Sequence, residues 1–295
     1  MKYAKVENEV GSTEFVGYLV DCAQAKILAA IEGEGYTDIV LDRTPFYAEC
    51  GGQVGDSGYI VNENLKAEVL TTFKVNHLFV HRCQVVNGEV KVGDYAFAQI
   101  DSARRAQIRV HHTSAHLLQA ALIKVLGDEV KQAGSQVEEN RMRFDFTFSR
   151  AMTPQEVKKT EDIMNKWIGE KLPVNTDVMG IEEAKLTGAT ALFGEKYEDV
   201  VRVVSIGGKA KCNCGSDCSC DHESGEEKEV ISKEFCAGTH ASNTADLRLV
   251  KIVSEGAIAA GTRRIEAVVA DAALGYLNAK SAEIDKLASR FKVHF

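Results

Sequence analysis

The sequence has no long hydrophobic run and no excess of positive charge, and both absences narrow its function. No uninterrupted apolar stretch approaches the roughly 18 residues that suggest a membrane span, and the start, MKYAKVENEV, lacks the apolar core of a secretory signal. A formal net charge of -8 argues against a protein that coats nucleic acid non-specifically, although a local basic patch stays compatible with it. We therefore expect no membrane partner and a cytoplasmic location.

The length and texture of the chain predict two domains of different class. Its 295 residues, 45% of them hydrophobic, suffice for about two buried cores. Up to about residue 102, short apolar segments such as FVGYLV and SGYIVN alternate with Gly, Asn and Asp, which is typical of a small β-barrel. The predicted fold class is α+β, with a barrel over 1–102, an α+β domain over 103–278, and the start of a C-terminal helix over 279–295.

Helix signals and strand signals alternate after the barrel. A long helix is predicted from Asp101 or Ser102 to a stop at Gly127, and Thr153 caps a second helix that runs to about Lys171. Further segments predict, in order, a strand at MRFDFTF, a helix near IEEAKLTG, a strand at DVVRVVSIG, strands at ADLRLVKIVSE and TRRIEAVVA, and a helix from about Asp271.

One segment of the barrel is unusually rich in glycine. RTPFYAECGGQVGDSG, residues 43–58, places four glycines beside a proline. Such a segment must turn tightly or let its backbone approach another group closely.

Cysteines and histidines are unevenly distributed and converge late in the chain. Eight cysteines in a chain of this size with no visible export signal are expected to be reduced or bound to metal. A loop-like insert, 211–229, contains the run C-x-C-x3-C-x-C-x-H. It offers a possible second metal site, for zinc or copper, whose candidate ligands are Cys212, Cys214, Cys218, Cys220 and His222. One alternative is an acidic loop whose thiols bind metal only adventitiously. Another is a loop that supplies or buffers metal for a site at Cys236, which lies close to it in sequence.

The spacing of four other residues predicts a zinc site. His112 and His116 stand four apart in the predicted long helix, so both rings leave one face about one turn apart. Cys236 and His240 repeat this spacing in EFCAGTH, a segment whose glycine allows a turn around an ion. Three imidazoles and one thiolate are ligands that Zn²⁺ prefers.

Two alternatives remain open for these residues. Cys236 can instead act as a nucleophile, with His240 or His112 as its base. Four protein ligands are also typical of a closed, structural zinc, whereas hydrolytic zinc keeps one position for water. The sequence does not choose between these roles.

Six ordered segments carry a resemblance to a known family: RTPFYAECGGQVGDSG, HHTSAHLL, VKQAGSQVEENRMRFDF, ALFGEKYEDVVRVV, EFCAGTH and EGAIAAGTRRIEA. Together they resemble the editing region of alanyl-tRNA synthetases and the freestanding alanyl-tRNA editing proteins, from about residue 15 to about residue 278. The resemblance implies an editing domain of the alanyl- and threonyl-tRNA synthetase type. We expect either a synthetase fragment or a freestanding editor that cooperates with an alanine-activating catalytic domain.

The resemblance also implies an activity and residue roles. Such domains hydrolyse Ser-tRNA(Ala), and often Gly-tRNA(Ala), at a zinc-containing site that binds the acceptor end of the tRNA. By position, Gln132 matches an editing residue, Thr44 matches a residue proposed to sense the serine hydroxyl, and the segment around Gly51 and Gly52 approaches the substrate. The implied zinc ligands are His112, His116, Cys236 and His240.

Binding of tRNA by an acidic chain should depend on local positive charge. Several basic residues precede the histidine pair or belong to the later strands, and by default each is a solvated surface charge. The proposed phosphate-binding residues are Arg104, Arg105, Arg109, Arg263 and Arg264, with Arg248 and Lys251 nearby in sequence.

The chain departs from the family pattern at three places. Cys50 stands where Ser is common, Ala237 where Gly is usual, and His111 where Asn is common. The runner-up function is a non-catalytic module that binds the tRNA acceptor stem and contains a structural zinc.

Overall fold

The computed structural model describes residues 2–191, 197–210 and 228–291. The chain divides into two compact units, Met1–Gln107 and Ile108–Phe295, here called unit 1 and unit 2. The boundary falls five residues after the one predicted from sequence, within a helix that begins at Ser102.

Unit 1 contains a closed six-stranded barrel, as the sequence predicted. Its elements are α1 (Lys2–Val10), β1 (Glu14–Phe15), β2 (Cys22–Glu32), β3 (Thr37–Leu41), β4 (Arg43–Thr44), β5 (Gly58–Asn62), β6 (Leu65–Val75), β7 (Leu78–Gly88) and β8 (Tyr95–Ile100). The barrel order is β2-β3-β7-β6-β5-β8, and the six adjacent pairs are antiparallel. In β8 the residues at even positions, Ala96, Ala98 and Ile100, are buried and their neighbours are exposed, which is the period of two expected for a strand with one solvated face.

Unit 2 combines two antiparallel sheets with helices. Its elements are α2 (Ser102–Leu126, which starts in unit 1), β9 (Gln132–Val137), β10 (Met142–Thr147), α3 (Pro154–Gly169), β11 (Val174–Gly180), α4 (Ile181–Leu186), β12 (Val200–Gly208), β13 (Lys228–Phe235), β14 (Val250–Ala259), β15 (Thr262–Val269) and α5 (Ala270–Phe291). One sheet has the order β14-β15-β10-β9 and the other β11-β12-β13.

Local capping chemistry explains where these elements begin. Thr153 forms a capping box with Glu156 at the start of α3, and Pro154 follows it, as predicted. The strand predicted from Ala245 is wrong at its start, because Asn243 caps a short 3₁₀-helix, Thr244–Leu247, and β14 begins only at Val250. The predicted C-terminal helix segment, 279–295, continues α5 rather than starting a new element, within its described residues.

None of the helices in the described ranges is both long and apolar enough to cross a membrane. The insert 211–229, with its five candidate ligands, lies outside the described residues except for its last two positions, in β13. The strands on either side of it, β12 and β13, are paired with each other.

Candidate metal centre

Two segments of unit 2 supply one histidine pair and one cysteine–histidine pair. His112 and His116 lie on α2 and are each 6% exposed. Cys236 directly follows β13, and its amide donates to the carbonyl oxygen of Arg202 on β12, so the strand pairing extends to this residue. His240 lies four residues later, within the loop that follows β13.

The four side chains converge on one point. Their ligand atoms all lie within 4.8 Å of one another. The sulfur of Cys236 is 3.5 Å from Nε2 of His112 and 3.3 Å from Nε2 of His240. The fold therefore brings together the four residues that the sequence singled out, and their binding of zinc stays a prediction.

The two distances measured from the Cys236 sulfur fit a tetrahedral ion of zinc size. With a Zn–S bond of about 2.3 Å and a Zn–N bond of about 2.05 Å, tetrahedral angles place sulfur about 3.6 Å from each nitrogen. The observed separations of Cys236 from His112 and His240 lie within about 0.3 Å of that value. Three nitrogens and one sulfur are also a donor set typical of zinc.

Backbone contacts shape the loop that contains Cys236 and His240. The amide of Gly238 donates to the Cys236 sulfur at 3.4 Å. The Arg202 guanidinium donates to the carbonyl oxygens of Cys236 and Gly238, at 3.1 and 2.7 Å, and to the hydroxyl of Thr176. These contacts bend the loop so that both ligands face the same point. Ala237, the departure from the family pattern, is exposed in this loop.

Two polar side chains contact the outer nitrogens of the histidines. Oε2 of the buried Glu234 lies 3.0 Å from Nδ1 of His116, although away from the direction of a straight hydrogen bond. The Thr113 hydroxyl is 3.2 Å from Nδ1 of His240 and accepts a hydrogen bond from the amide of Ala241. Sequence reasoning missed Glu234, Thr113 and Arg202; only Glu234 had a signal, since it stands two residues before Cys236 and so shares a strand face with it.

Electrostatics in the cluster favour metal-binding protonation states at two ligands. Burial alone would raise the pKa of the Cys236 thiol, but His112 and His240 lower that pKa well below its usual value. Burial, with His112 beside it, lowers the pKa of His240 well below that of a free histidine. Burial also opposes charge on His116, yet Glu234 and Cys236 outweigh it and raise the pKa of His116 to about 10. A thiolate suits both readings of Cys236, as metal ligand and as nucleophile.

His111 has a separate partner. Its Nε2 accepts a hydrogen bond of 3.4 Å from the amide of Val269, and the side chain is buried. It is not among the four clustered ligands. His111 therefore takes no part in the cluster.

The glycine-rich segment of unit 1 forms a tight hairpin turn. Cys50 and Gln53 exchange two backbone hydrogen bonds, of 3.2 and 3.0 Å, across Gly51 and Gly52. Both glycines have positive φ, 58° and 80°, as a type I′ turn requires. A Cβ at Gly51 would meet nothing within 4 Å, so its glycine serves the turn and leaves its outer face open.

Thr44 is buried in unit 1, with its hydroxyl already engaged. His81 Nδ1 lies 2.9 Å from the carbonyl oxygen of Ile39, so Nδ1 must carry the proton and Nε2 must accept. The Thr44 hydroxyl therefore donates to Nε2 at 2.7 Å, and it also accepts from the amide of Phe46. A substrate hydroxyl could only donate to its remaining lone pair, and sensing of serine by Thr44 stays a prediction.

Gln132 starts β9, an edge strand of the four-stranded sheet in unit 2. Its side-chain amide donates to the hydroxyl of Ser135 at 3.2 Å, and the residue is half-buried. The amide oxygen can still accept another bond. Its role in editing stays a prediction.

The prediction that Arg105 contacts tRNA is wrong. Its side chain is 1% exposed and forms a multidentate ion pair with Asp56 inside unit 1. The same guanidinium donates to the carbonyl oxygens of Gly17 and Pro45. Because the side chain is enclosed and most of its donors are engaged within unit 1, it is not available to a phosphate.

The other predicted basic residues are more accessible but already partnered. Arg263 pairs bidentately with Glu255, and Arg264 pairs bidentately with Asp145. Arg109 is half-buried and also has an interaction partner. Arg104 donates to a backbone carbonyl, and Arg248 and Lys251 form ion pairs with carboxylates. These pairs reduce the free positive charge that a phosphate would meet.

Comparison with known proteins shows which proteins this chain is similar to. The family model described as "tRNA synthetases class II (A)" matches residues 2–104, and "Threonyl and Alanyl tRNA synthetase second additional domain" matches residues 201–266. The chain is 44% identical over 289 residues to an alanine–tRNA ligase of Synechococcus sp. strain JA-3-3Ab, covering 95% of this chain and 30% of the ligase. It is 42% identical to that of Nostoc punctiforme, covering 98% of this chain and 31% of the ligase.

These matches confirm the resemblance that the six motifs predicted. The chain is related to alanine–tRNA ligases over nearly its whole length. It spans about a third of the length of these relatives, and it includes the second additional domain shared by threonyl- and alanyl-tRNA synthetases.

Proposed function

From this relationship to alanine–tRNA ligases and from the four-residue cluster in unit 2, we propose that the chain hydrolyses mischarged Ser-tRNA(Ala), with Gly-tRNA(Ala) as a second substrate. The observation that carries the proposal is the convergence of His112, His116, Cys236 and His240 within 4.8 Å. The proposed partner is the acceptor end of tRNA(Ala). Since the relatives are about three times longer, we also propose that the domain works with an alanine-activating catalytic domain.

Energetics explain why such an activity is needed. A pocket shaped for alanine distinguishes it from an analogue smaller by one methyl group by only about 1–3 kcal/mol, and it cannot strongly reject an added hydroxyl. A second site can apply the opposite test, because leaving buried polar groups unpaired costs about 1–3 kcal/mol. Serine satisfies such groups, whereas alanine does not.

The residues of the chain divide the proposed work. The four clustered side chains hold zinc, which when bound supplies a Lewis acid able to polarise an ester carbonyl. The Arg202 contacts keep the Cys236 loop in its bent form. Gln132, in the same unit as the cluster, offers an acceptor for a serine hydroxyl. The roles of Thr44, Gly51 and Gly52 in unit 1 stay predictions.

A deacylation assay with three substrates tests the proposal. The protein is incubated with Ser-tRNA(Ala), Gly-tRNA(Ala) and Ala-tRNA(Ala), and the remaining ester is measured over time. We expect loss of the serine ester and retention of the alanine ester. In Cys236→Ser the rate should fall by roughly 100-fold or more, since loss of even an outer partner of a metal ligand costs about 10–100-fold. Cys22→Ser, at an exposed cysteine of unit 1, is the control and should retain the rate.

Two other outcomes would support the rival functions. Four protein donors are typical of a closed, structural zinc, which favours the non-catalytic alternative. Binding of tRNA without loss of any ester would identify such a binding module. Activity that persists in metal-free protein and is abolished by thiol alkylation would identify Cys236 as a nucleophile instead of a ligand.

A further inference from the structure

We propose that Glu234 is a positioning residue of the metal centre, which holds Nδ1 of His116 so that Nε2 faces the ion. This inference rests on the metal-binding part of the proposed function and needs no tRNA chemistry. It predicts that removal of one buried negative charge, at a residue that does not itself bind the metal, weakens zinc binding.

The geometry of His116 assigns its two nitrogens. Oε2 of Glu234 lies 3.0 Å from Nδ1, although out of line for a straight hydrogen bond, so a carboxylate already occupies the space beside this nitrogen. Nε2 is then the only ring nitrogen left for the metal. A hydrogen on Nδ1 fixes this tautomer, and a carboxylate partner raises the basicity of the coordinating nitrogen.

The strand itself aligns Glu234 with the cluster. Side chains two residues apart on a strand point to the same face, so Ser232, Glu234 and Cys236 follow one another along one face of β13 and its extension. The Ser232 hydroxyl donates to Oε1 of Glu234 at 2.7 Å, which leaves Oε2 for His116. One strand thus delivers a metal ligand and, one step earlier, the carboxylate that orients another ligand.

Charge balance gives the carboxylate a reason to be buried there. Zn²⁺ bound by one thiolate and three neutral imidazoles carries a net charge of +1, and Glu234 brings the buried group to neutrality. Only 8% of Glu234 is exposed, and an unpaired charge at such a site is costly. His240 differs, because its outer nitrogen contacts the neutral hydroxyl of Thr113. The effect should therefore be specific to the carboxylate at 234.

The test compares two glutamates of the same strand. Glu234→Gln keeps the size of the side chain and removes the charge, and Glu229→Gln makes the same change at an exposed position of β13. Zinc Kd is measured by competition with a chromophoric chelator, and zinc bound by Cys236→Ser is subtracted to isolate the four-residue cluster. We expect Kd to rise about 10–100-fold in Glu234→Gln and to stay unchanged in Glu229→Gln.

A second measurement separates positioning from a general loss of structure. The cobalt-substituted protein should show altered d–d bands in Glu234→Gln, with the sulfur-to-cobalt band retained because Cys236 still binds. Ser232→Ala keeps the charge and removes only the contact to Oε1, so its Kd should lie between those of the wild type and Glu234→Gln. If Glu234→Gln does not fold, the Kd of Ser232→Ala becomes the test of the inference.

The outcomes are distinct. An unchanged zinc Kd and cobalt spectrum in folded Glu234→Gln, or an unchanged Kd in Ser232→Ala where Glu234→Gln does not fold, would overturn this inference, whatever the deacylation assay shows. A wild-type protein that binds zinc through these residues but hydrolyses no ester would overturn the proposed function and leave the role of Glu234 in place.

Discussion

Individual residues show how burial changes the meaning of a side chain. Arg105 and Arg109 look equivalent in the sequence, yet Arg105 is enclosed with Asp56 in unit 1 and Arg109 is half-buried. The four residues that the motifs pointed to do lie together, and the spacing within each pair, on a helix and in a loop, is set locally. The motifs could not show which arginines face solvent, because that depends on non-local packing.

Arg105 should stabilise the barrel rather than bind RNA. In Arg105→Met the carboxylate of Asp56 is left buried without its partner, which should lower the unfolding free energy of unit 1 by about 3–5 kcal/mol. Arg43→Met, which breaks an exposed ion pair with Glu14, should cost no more than about 1 kcal/mol. Both free-energy changes are measured by urea unfolding, with hydrogen exchange of barrel amides as the signal. Full stability of Arg105→Met with weakened tRNA binding would restore the original prediction.

His81 should make unit 1 sensitive to acid. Burial lowers the pKa of His81 from 6.5 to about 4. Between pH 4 and pH 6.5 the imidazole is therefore protonated in the unfolded chain and neutral in the folded unit. The contribution of neutral His81 to the unfolding free energy of unit 1 is fully present above pH 6.5. It is lost as the pH falls toward 4, which lowers that free energy by about 3 kcal/mol.

Hydrogen exchange of barrel amides across pH 4 to 7 measures this slope. His81→Gln should remove most of it, because glutamine does not titrate, whereas His77→Gln, at an exposed residue, should leave it unchanged. A slope that survives in His81→Gln would assign the acid sensitivity to another group.

At the scale of elements, period and capping predicted most of what formed. The helix α2 begins and ends within one residue of its predicted limits, and Thr153 caps α3 as its sequence indicated. The start of β14 could not be predicted from apolar pattern, because the Asn243 cap favours a 3₁₀-turn over an extended strand. The tight turn at Gly51 and Gly52 follows directly from the two glycines.

The cysteine-rich insert should be separable from the metal centre. It joins β12 to β13 at the end where Gly208 pairs with Lys228, and Cys236 comes eight residues later, about 26 Å along an extended strand. Replacing residues 211–226 by a short turn should leave zinc affinity at the four-residue cluster and the deacylation rate unchanged. Zinc content of that cluster is measured as the difference from the same deletion combined with Cys236→Ser. A fall in this content would support the insert as a metal source.

At the scale of the whole molecule, all four residues of the proposed zinc site belong to unit 2, as does the single tryptophan of the sequence, Trp167. Trp167 is buried on α3, so its fluorescence reports the unfolding of unit 2. Zinc that binds only the folded unit stabilises it by mass action.

Free zinc at about 1,000 times Kd should raise the unfolding free energy of unit 2 by about 4 kcal/mol. Trp167 fluorescence during urea unfolding measures this increase in unit 2. Hydrogen exchange of barrel amides reports on unit 1, whose unfolding free energy we expect zinc to leave unchanged. Cys236→Ser is the control, because it should lose the increase. If zinc leaves the Trp167 transition unmoved in the wild type, the cluster does not hold zinc in the folded state.

The sequence by itself determined the barrel, the long helix, the turn at Gly51 and Gly52 and the identity of the four clustered residues, because each depends on local periodicity, conformational preference or a specific motif. Only the tertiary structure decided that Arg105 is internal, that Thr44 is engaged with His81, and that Glu234 stands behind His116. These contacts join residues 37 to 118 positions apart, and the chain reaches them only when its sheets pair and its cores close. Burial and charge pairing, which set what each side chain can do, exist only after that closure.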